Sequence, residues 1–139
     1  MEYVAGFLFS ANREKVVLVQ KINPEWQRDL LNGVGGKIEP FDESLVAAMV
    51  REFQEEAGIL VHEWEMFCQV SNQGNLTHFF RSFADGNLDH ISGQEAEKIS
   101  AYPVSELDRL NTMPNLGWLI PMALDGAVLE AVVDYAPRQ

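Results

Sequence analysis

The stretch from Gly35 to Ile59 constrains this chain more than any other. It reads Gly-Gly-Lys-Ile-Glu-Pro-Phe-Asp-Glu-Ser-Leu-Val-Ala-Ala-Met-Val-Arg-Glu-Phe-Gln-Glu-Glu-Ala-Gly-Ile. A glycine loop runs into a segment with apolar Leu45, Ala48, Met49 and Phe53 at helical spacing. On a 3.6-residue period Glu52, Glu55 and Glu56 fall on one helix face, with Arg51 beside them. Three carboxylates so close repel one another and weaken an isolated helix. The arrangement makes sense where hard divalent cations sit among them, because Mg2+ and Mn2+ prefer carboxylate oxygen. A solvated acidic face would leave unexplained both Arg51 next to Glu52 and Gly58 as a C-terminal stop.

These residues resemble the Nudix box: glycine, five residues, Glu, seven residues, then Arg-Glu-apolar-x-Glu-Glu-x-Gly-apolar. Glu43 followed by seven residues and Arg51-Glu52-Phe53-Gln54-Glu55-Glu56-Ala57-Gly58-Ile59 matches the second half at every fixed position. The first half departs from it. Six residues separate Gly36 from Glu43, so an extra residue is expected in the turn before the helix, where insertions are tolerated. The resemblance implies an α/β fold, a three-layer α/β/α sandwich with a mixed β-sheet, over a single domain spanning 1–139. It implies Mg2+ or Mn2+ as cofactor, held by Glu52, Glu55, Glu56 and the Gly36 carbonyl. Glu55 and Arg51 are then the catalytic candidates, Glu55 helping to deprotonate water and Arg51 holding the carboxylates through a bidentate pair. Glu43 is expected to be a structural partner near the site.

Composition narrows the partners. The formal charge of -11 argues against a nucleic-acid groove, which needs clustered Lys and Arg. An anionic small molecule remains compatible, since bound metal reverses the local sign. Apolar residues make up 47% of the chain, enough for a core. One cysteine, Cys68, excludes an intrachain disulfide and fits a reducing compartment. Val4 to Phe9 is too short for a signal peptide or membrane span, so a cytoplasmic protein with no membrane partner, a monomer or homodimer, is expected.

Along the chain, Tyr3 to Ser10 and Lys15 to Gln20 read as a hairpin, Ile22 to Leu31 as a loop, and Asn32 to Gly36 as the end of a short strand. A helix is expected from about Glu43 to Ala57, with Asp42 or Ser44 as N-cap. Strands are expected over Leu60 to Val70, Leu76 to Ala84 and Lys98 to Val104. A polar loop covers Asp85 to Gly93. Ser105 should cap a helix running to Leu110, Pro114 to Leu124 should form another, and Val128 to Tyr135 a last strand or tail.

Beyond the box, Glu97 is the candidate for a further carboxylate ligand, with Glu95 second. Glu97 precedes Tyr102-Pro103-Val104, a spacing similar to the family's Glu before an aromatic-apolar strand. Leu31-Asn32-Gly33-Val34-Gly35-Gly36-Lys37 resembles the Trp-Asn-Gly-Phe-Gly-Gly-Lys segment of oxidised-purine nucleoside triphosphatases, a branch in which the asparagine meets the base. An amide offers both donor and acceptor to a base edge, although Asn32 also suits a turn before Gly33. Lys37 and Asn115 are further candidates for substrate binding. Trp118 resembles the branch's Trp before Phe-Pro and suits either base stacking or the core. The branch's Pro-Asp-Asp is Pro114-Asn115-Leu116 here. Lys21 and Arg28 suit surface solvation, with phosphate contact as the alternative, and His62, His78 and His90 lack metal-ligand spacing.

No proline stands between Pro40 and Pro103, whereas enzymes acting on ADP-ribose have one shortly after the box, and the tyrosine of diadenosine-polyphosphate enzymes is replaced by Asn75, Leu76 and Thr77. The reading by elimination is a pyrophosphohydrolase releasing nucleoside monophosphate and pyrophosphate from a nucleoside triphosphate, oxidised or modified forms included. A nucleoside diphosphate sugar or dinucleotide is the alternative substrate. A nucleotide-sensing module without catalysis is the alternative of another class.

Overall fold

The structure, a computed structural model of the chain, describes residues 1–88, 90–128 and 130–135. Its strands are β1 (Glu2–Phe9), β2 (Lys15–Gln20), β3 (Leu31–Asn32), β4 (Val34–Lys37), β5 (Glu65–Asn72), β6 (Asn75–Phe83), β7 (Lys98–Pro103) and β8 (Ala131–Tyr135). The helices are α1 (Leu45–Ala57) and α2 (Leu116–Leu124). The strands form one mixed sheet in the order β3-β2-β1-β6-β5-β8, with β4 on β1 and β7 on β2. The β1–β6 and β5–β8 pairs are parallel. Strand β1 divides one of its edges: Tyr3 to Gly6 pair with β4, while Leu8 and Phe9 pair with β2.

The unbroken apolar runs of β1 and β2 follow from burial on both faces. Val4 and Leu8 in β1, with Val17 and Val19 in β2, pack toward Met49 and Phe53 of α1. The alternate residues Ala5, Phe7 and Phe9, with Val16 and Leu18, pack toward Leu119 and Ile120 of α2. Helix, sheet and helix are therefore three layers, and the period of two along each strand sorts its side chains between the two cores.

Helix α1 starts where Ser44 Oγ accepts from the Ala47 amide at 3.0 Å. It ends at Gly58, whose φ of 72° is the left-handed conformation that favours glycine. The Gly58 amide returns to Gln54 O at 2.9 Å.

Several expected elements differ. The loop at Ile22 to Leu31 contains a 3-10 turn, Glu25–Gln27, and its end joins the sheet as β3. Strand β5 begins at Glu65 rather than Leu60, because Trp64 folds inward and donates its indole N–H to Val61 O at 3.0 Å. The Asp85 to Gly93 loop is less polar in effect than expected, since Leu88 and Ile91 are buried; Asp89 lies outside the described residues. Ser105 caps nothing. Val104–Arg109 is a 3-10 helix preceded by Pro103 with no side-chain cap, and Val104 donates to Glu14 O instead. Leu107 and Leu110, three apart, both reach the α2-side core, which suits three residues per turn. The last strand forms over Ala131–Tyr135; Leu129 lies outside the described residues. Among the described residues no helix is long and apolar enough to cross a membrane.

Candidate active site

The acidic face of α1 lies against β4. Gly36 is the seam: a Cβ there would come within 2.5–2.7 Å of the Glu52 carboxylate group. A side chain at 36 would push that carboxylate, the end of a flexible side chain, out of its place. Glycine lets the backbone of β4 meet a charged side chain without a methyl group between them.

Arg51 organises the face. Its Nη1 donates to Glu52 Oε1 at 2.9 Å and to Glu55 Oε2 at 3.3 Å, and its Nη2 to Lys37 O at 3.2 Å. The bidentate pair expected with a glutamate goes elsewhere. Nε and Nη2 donate to the two Asp42 oxygens, both at 2.8 Å. Asp42 Oδ2 also accepts the Glu39 amide at 2.8 Å, and the Arg51 guanidinium lies over the Phe41 ring at 5.3 Å. These bonds hold the Asp42 carboxyl below its ordinary value, with the Arg51 hydrogen bonds the largest cause. In turn Asp42, ahead of Glu52, pushes the Arg51 guanidinium further up.

This corrects the expectation for Glu43. Glu43 is exposed, ahead of the helix, and has no partner among the described residues. Asp42 is the acid that faces Arg51. Five residues, 37–41, separate it from Gly36, so the first spacing of the box is intact and the extra residue falls after the acid instead of before it. The signal was visible in Asp42, but alignment by glutamate identity passed over it.

Glu56 is the most unusual group. Burial pushes its carboxyl up to about 8, with Lys21 opposing and Glu52, Glu97 and Glu95 adding to the rise. Its Oε2 is buried without a hydrogen-bond partner. Burial also raises Glu52, against the pull of Arg51. Glu55 is half exposed. Among the described residues no three acidic, histidine or cysteine side chains are spaced as a ready-made cage. The donor set nevertheless fits a hard cation. It is all oxygen, and a buried carboxylate oxygen with no donor is a costly vacancy that a cation satisfies.

Glu97 approaches this centre from another segment, but both its oxygens are in use. Oε1 meets Lys21 Nζ at 3.3 Å, and Oε2 accepts the Ile22 amide at 2.6 Å. In this state Glu97 ties down the loop after β2. Glu95 is exposed and acts on Glu52 and Glu56 only through its charge.

Gly36 also lines a cleft of about 780 Å³, within the range of small-molecule sites. Its Ala5, Val70 and Phe79 belong to the α2-side core. Asn32 and Asn115 both line it. Asn32 Oδ1 accepts the Gly33 amide at 2.8 Å, which leaves its NH2 as the group without a protein partner among the described residues. Asn115 Oδ1 is buried with no donor. Two candidates lie elsewhere. Lys37 is exposed outside the cleft, offering Arg51 its carbonyl; Trp118 is partly buried against the α2-side core and does not line the cleft. The cleft's aromatic groups are instead Phe79 and Tyr3, Trp26 and Tyr135, which periodicity and motif spacing did not mark, and its cation is Lys21.

Solved structures resemble this one. The NUDIX domain of Shewanella oneidensis NrtR complexed with ADP ribose is 22% identical, with TM-score 0.76 over 88% of this chain and 85% of that one. A MutT structure, from an analysis of the Aliivibrio salmonicida and Vibrio cholerae proteins, is 24% identical with TM-score 0.74, over 88% and 95%. An ADP-ribose pyrophosphatase from Streptococcus suis is 19% identical with TM-score 0.67, over 94% and 97%. At these identities the likeness carries the fold. No curated protein matches at a significant level. The sequence model of the NUDIX domain matches residues 2–120, most of the chain and the whole glycine-loop and acidic-helix segment, and the protein belongs to that family.

Proposed function

We propose that the protein is a divalent-metal-dependent pyrophosphohydrolase acting as one domain over residues 1–139, and that it cleaves a nucleoside triphosphate, oxidised or modified forms included, to a nucleoside monophosphate and pyrophosphate. One observation carries this reading: Gly36 belongs at once to the wall of a nucleotide-sized cleft and to the acidic centre on α1. A phosphate chain of a nucleotide in the cleft would therefore meet the carboxylates.

Mg2+ or Mn2+ held by Glu52, Glu55, Glu56 and the Gly36 carbonyl would shield the negative charge of the pyrophosphate link. Glu97 joins that set through the remaining lone pair of Oε1, while Oε2 keeps the Ile22 amide. Arg51 holds Glu52 and Glu55 in one orientation and is itself aimed by Asp42. Glu55, half exposed and bound by one Arg51 nitrogen, is the carboxylate with room to accept a proton from water. Asn32 contributes a donor and Asn115 an acceptor, a pair suited to a base edge. Lys37 is then a phosphate contact only by its exposed chain reaching back.

A second substrate class has an observation of its own. The cleft continues to Asn72, Gln73, Asn75, Thr77 and Tyr135, uncharged amides and hydroxyls that suit a sugar or second nucleoside. A nucleoside diphosphate sugar or dinucleotide would fill that end.

The test is a screen of nucleoside triphosphates, nucleoside diphosphate sugars and dinucleotides with Mg2+ or Mn2+, scored for pyrophosphate against phosphate. Pyrophosphate release from triphosphates, abolished by EDTA, is the expected result. Binding without turnover of any member would overturn the enzymatic reading in favour of a nucleotide-sensing module.

A further inference from the structure

Trp26 is 67% exposed, although no other side chain in the cleft has as much apolar surface to lose. Single exposed apolar side chains are ordinary, and Phe41 is 69% exposed; what sets Trp26 apart is that its ring lines the cleft. Its exposure does not come from loose backbone. The loop carrying Trp26 is closed at its base, where Lys21 N donates to Leu30 O at 2.9 Å and Asp29 N to Lys21 O at 2.8 Å. Its tip is a 3-10 turn, with Gln27 N on Pro24 O at 2.9 Å and Arg28 N on Glu25 O at 3.1 Å. The shoulder of the loop is bonded to Glu97 through the Ile22 amide. The backbone is thus ordered before any ligand arrives, and it presents a ring that the fold does not cover.

Resting on the hydrolase reading above, we propose that Trp26 is the stacking residue for the nucleobase. Flat aromatic faces stack on any base, so Trp26 supplies affinity, while the polar edge groups of Asn32 and Asn115 supply choice. Because the backbone is already ordered, little further entropy is lost when a base lands on the ring. Trp118, packed on the core, cannot take this role without leaving it.

The test uses the full chain with Mg2+ present, and AMP, GMP and inorganic pyrophosphate as probes. Binding is followed by calorimetry and by tryptophan fluorescence. The third tryptophan, Trp64, is 7% exposed and should be silent. A monophosphate should quench the wild type and Trp118→Phe but not Trp26→Phe. Trp26→Ala should weaken AMP and GMP binding roughly tenfold to a hundredfold, as expected for loss of one base–aromatic stack. Trp26→Phe should restore most of that affinity, and pyrophosphate, which has no ring, should bind all variants alike. Being exposed, Trp26 can be truncated without opening the core, and equal melting temperatures would check this. Unchanged monophosphate affinity in Trp26→Ala would overturn the proposal and leave the hydrolase reading standing. An equal loss for pyrophosphate would also overturn it, since the loop would then serve the anion. No binding of any probe to the wild type would overturn both.

Discussion

Asp42, and not Glu43, should carry the stability of the acidic centre. Asp42→Asn keeps the size of the side chain but removes its charge and turns one acceptor into a donor. Two charge-assisted bonds to Arg51 at 2.8 Å and one from the Glu39 amide are affected. Bonds to charged groups contribute about 1.5–3 kcal/mol each. The Arg51 side chain is 19% exposed and keeps Glu52, Glu55 and Lys37 O, so water and these partners recover part of the loss. Asparagine also keeps one acceptor oxygen, so the net loss is that of a single such bond near the top of the range, about 2–3 kcal/mol. In a chain of this size that lowers the melting temperature by roughly 6–12 °C. Glu43→Gln, at an exposed position without a partner, should stay within about 0.5 kcal/mol. The assay is thermal unfolding by circular dichroism at neutral pH in EDTA. Acid should erase the difference. The folded-state carboxyl of Asp42 lies below its ordinary 3.8, so its contribution is present above that value and lost as pH falls through the folded value. The gap between wild type and Asp42→Asn should therefore narrow only at strongly acidic pH. An equal loss in Glu43→Gln, or none in Asp42→Asn, would refute the reassignment of the box acid.

Glu55→Gln should lower kcat by about 100- to 10,000-fold with the melting temperature unchanged, as expected for a proton acceptor; steady-state kinetics at saturating Mg2+ would show it, and near-normal kcat would remove Glu55 from the mechanism. Asn115→Ala removes a buried acceptor that has no donor, so the free protein should keep its stability or gain up to about 1 kcal/mol. Its nucleotide affinity should nevertheless fall roughly tenfold, and a calorimetric Kd equal to wild type would exclude Asn115 from the base site. Arg81 is buried and donates to Ala123 O, Asp125 O and Val128 O at 3.2, 3.4 and 2.8 Å, so Arg81→Met should cost about 3 kcal/mol in urea unfolding. A loss under about 0.5 kcal/mol would mean that water replaces the guanidinium there.

The local chemistry was legible from the chain alone. A 3.6-residue period gathered Glu52, Glu55 and Glu56 on one face, and Gly58 marked the end of α1 while Asp42 or Ser44 bracketed its start, because caps answer to neighbouring backbone groups; Ser44 is the cap that forms. The apolar, β-branched runs of β1 and β2 with a polar turn between them announced a hairpin, which forms, since such pairing is set by neighbouring residues. What depends on distant segments was not legible. Asp42 rather than Glu43 faces Arg51 because the turn after β4 must deliver one acid to a guanidinium nine residues on, and either carboxylate satisfies the local pattern. Glu97 spends its oxygens on Lys21 and Ile22, residues far away in sequence. The choice between base stacking and the core for Trp118 was open in the sequence for the same reason. A tryptophan's sequence neighbours do not say whether the tertiary fold covers its ring, and here α2 packs Trp118 on the core while the loop after β2 leaves Trp26 open at the cleft. Sequence determined which groups could do chemistry through short-range periodicity and capping; tertiary structure decided which of them meet, because burial and charge pairing are properties of segments brought together only by the fold.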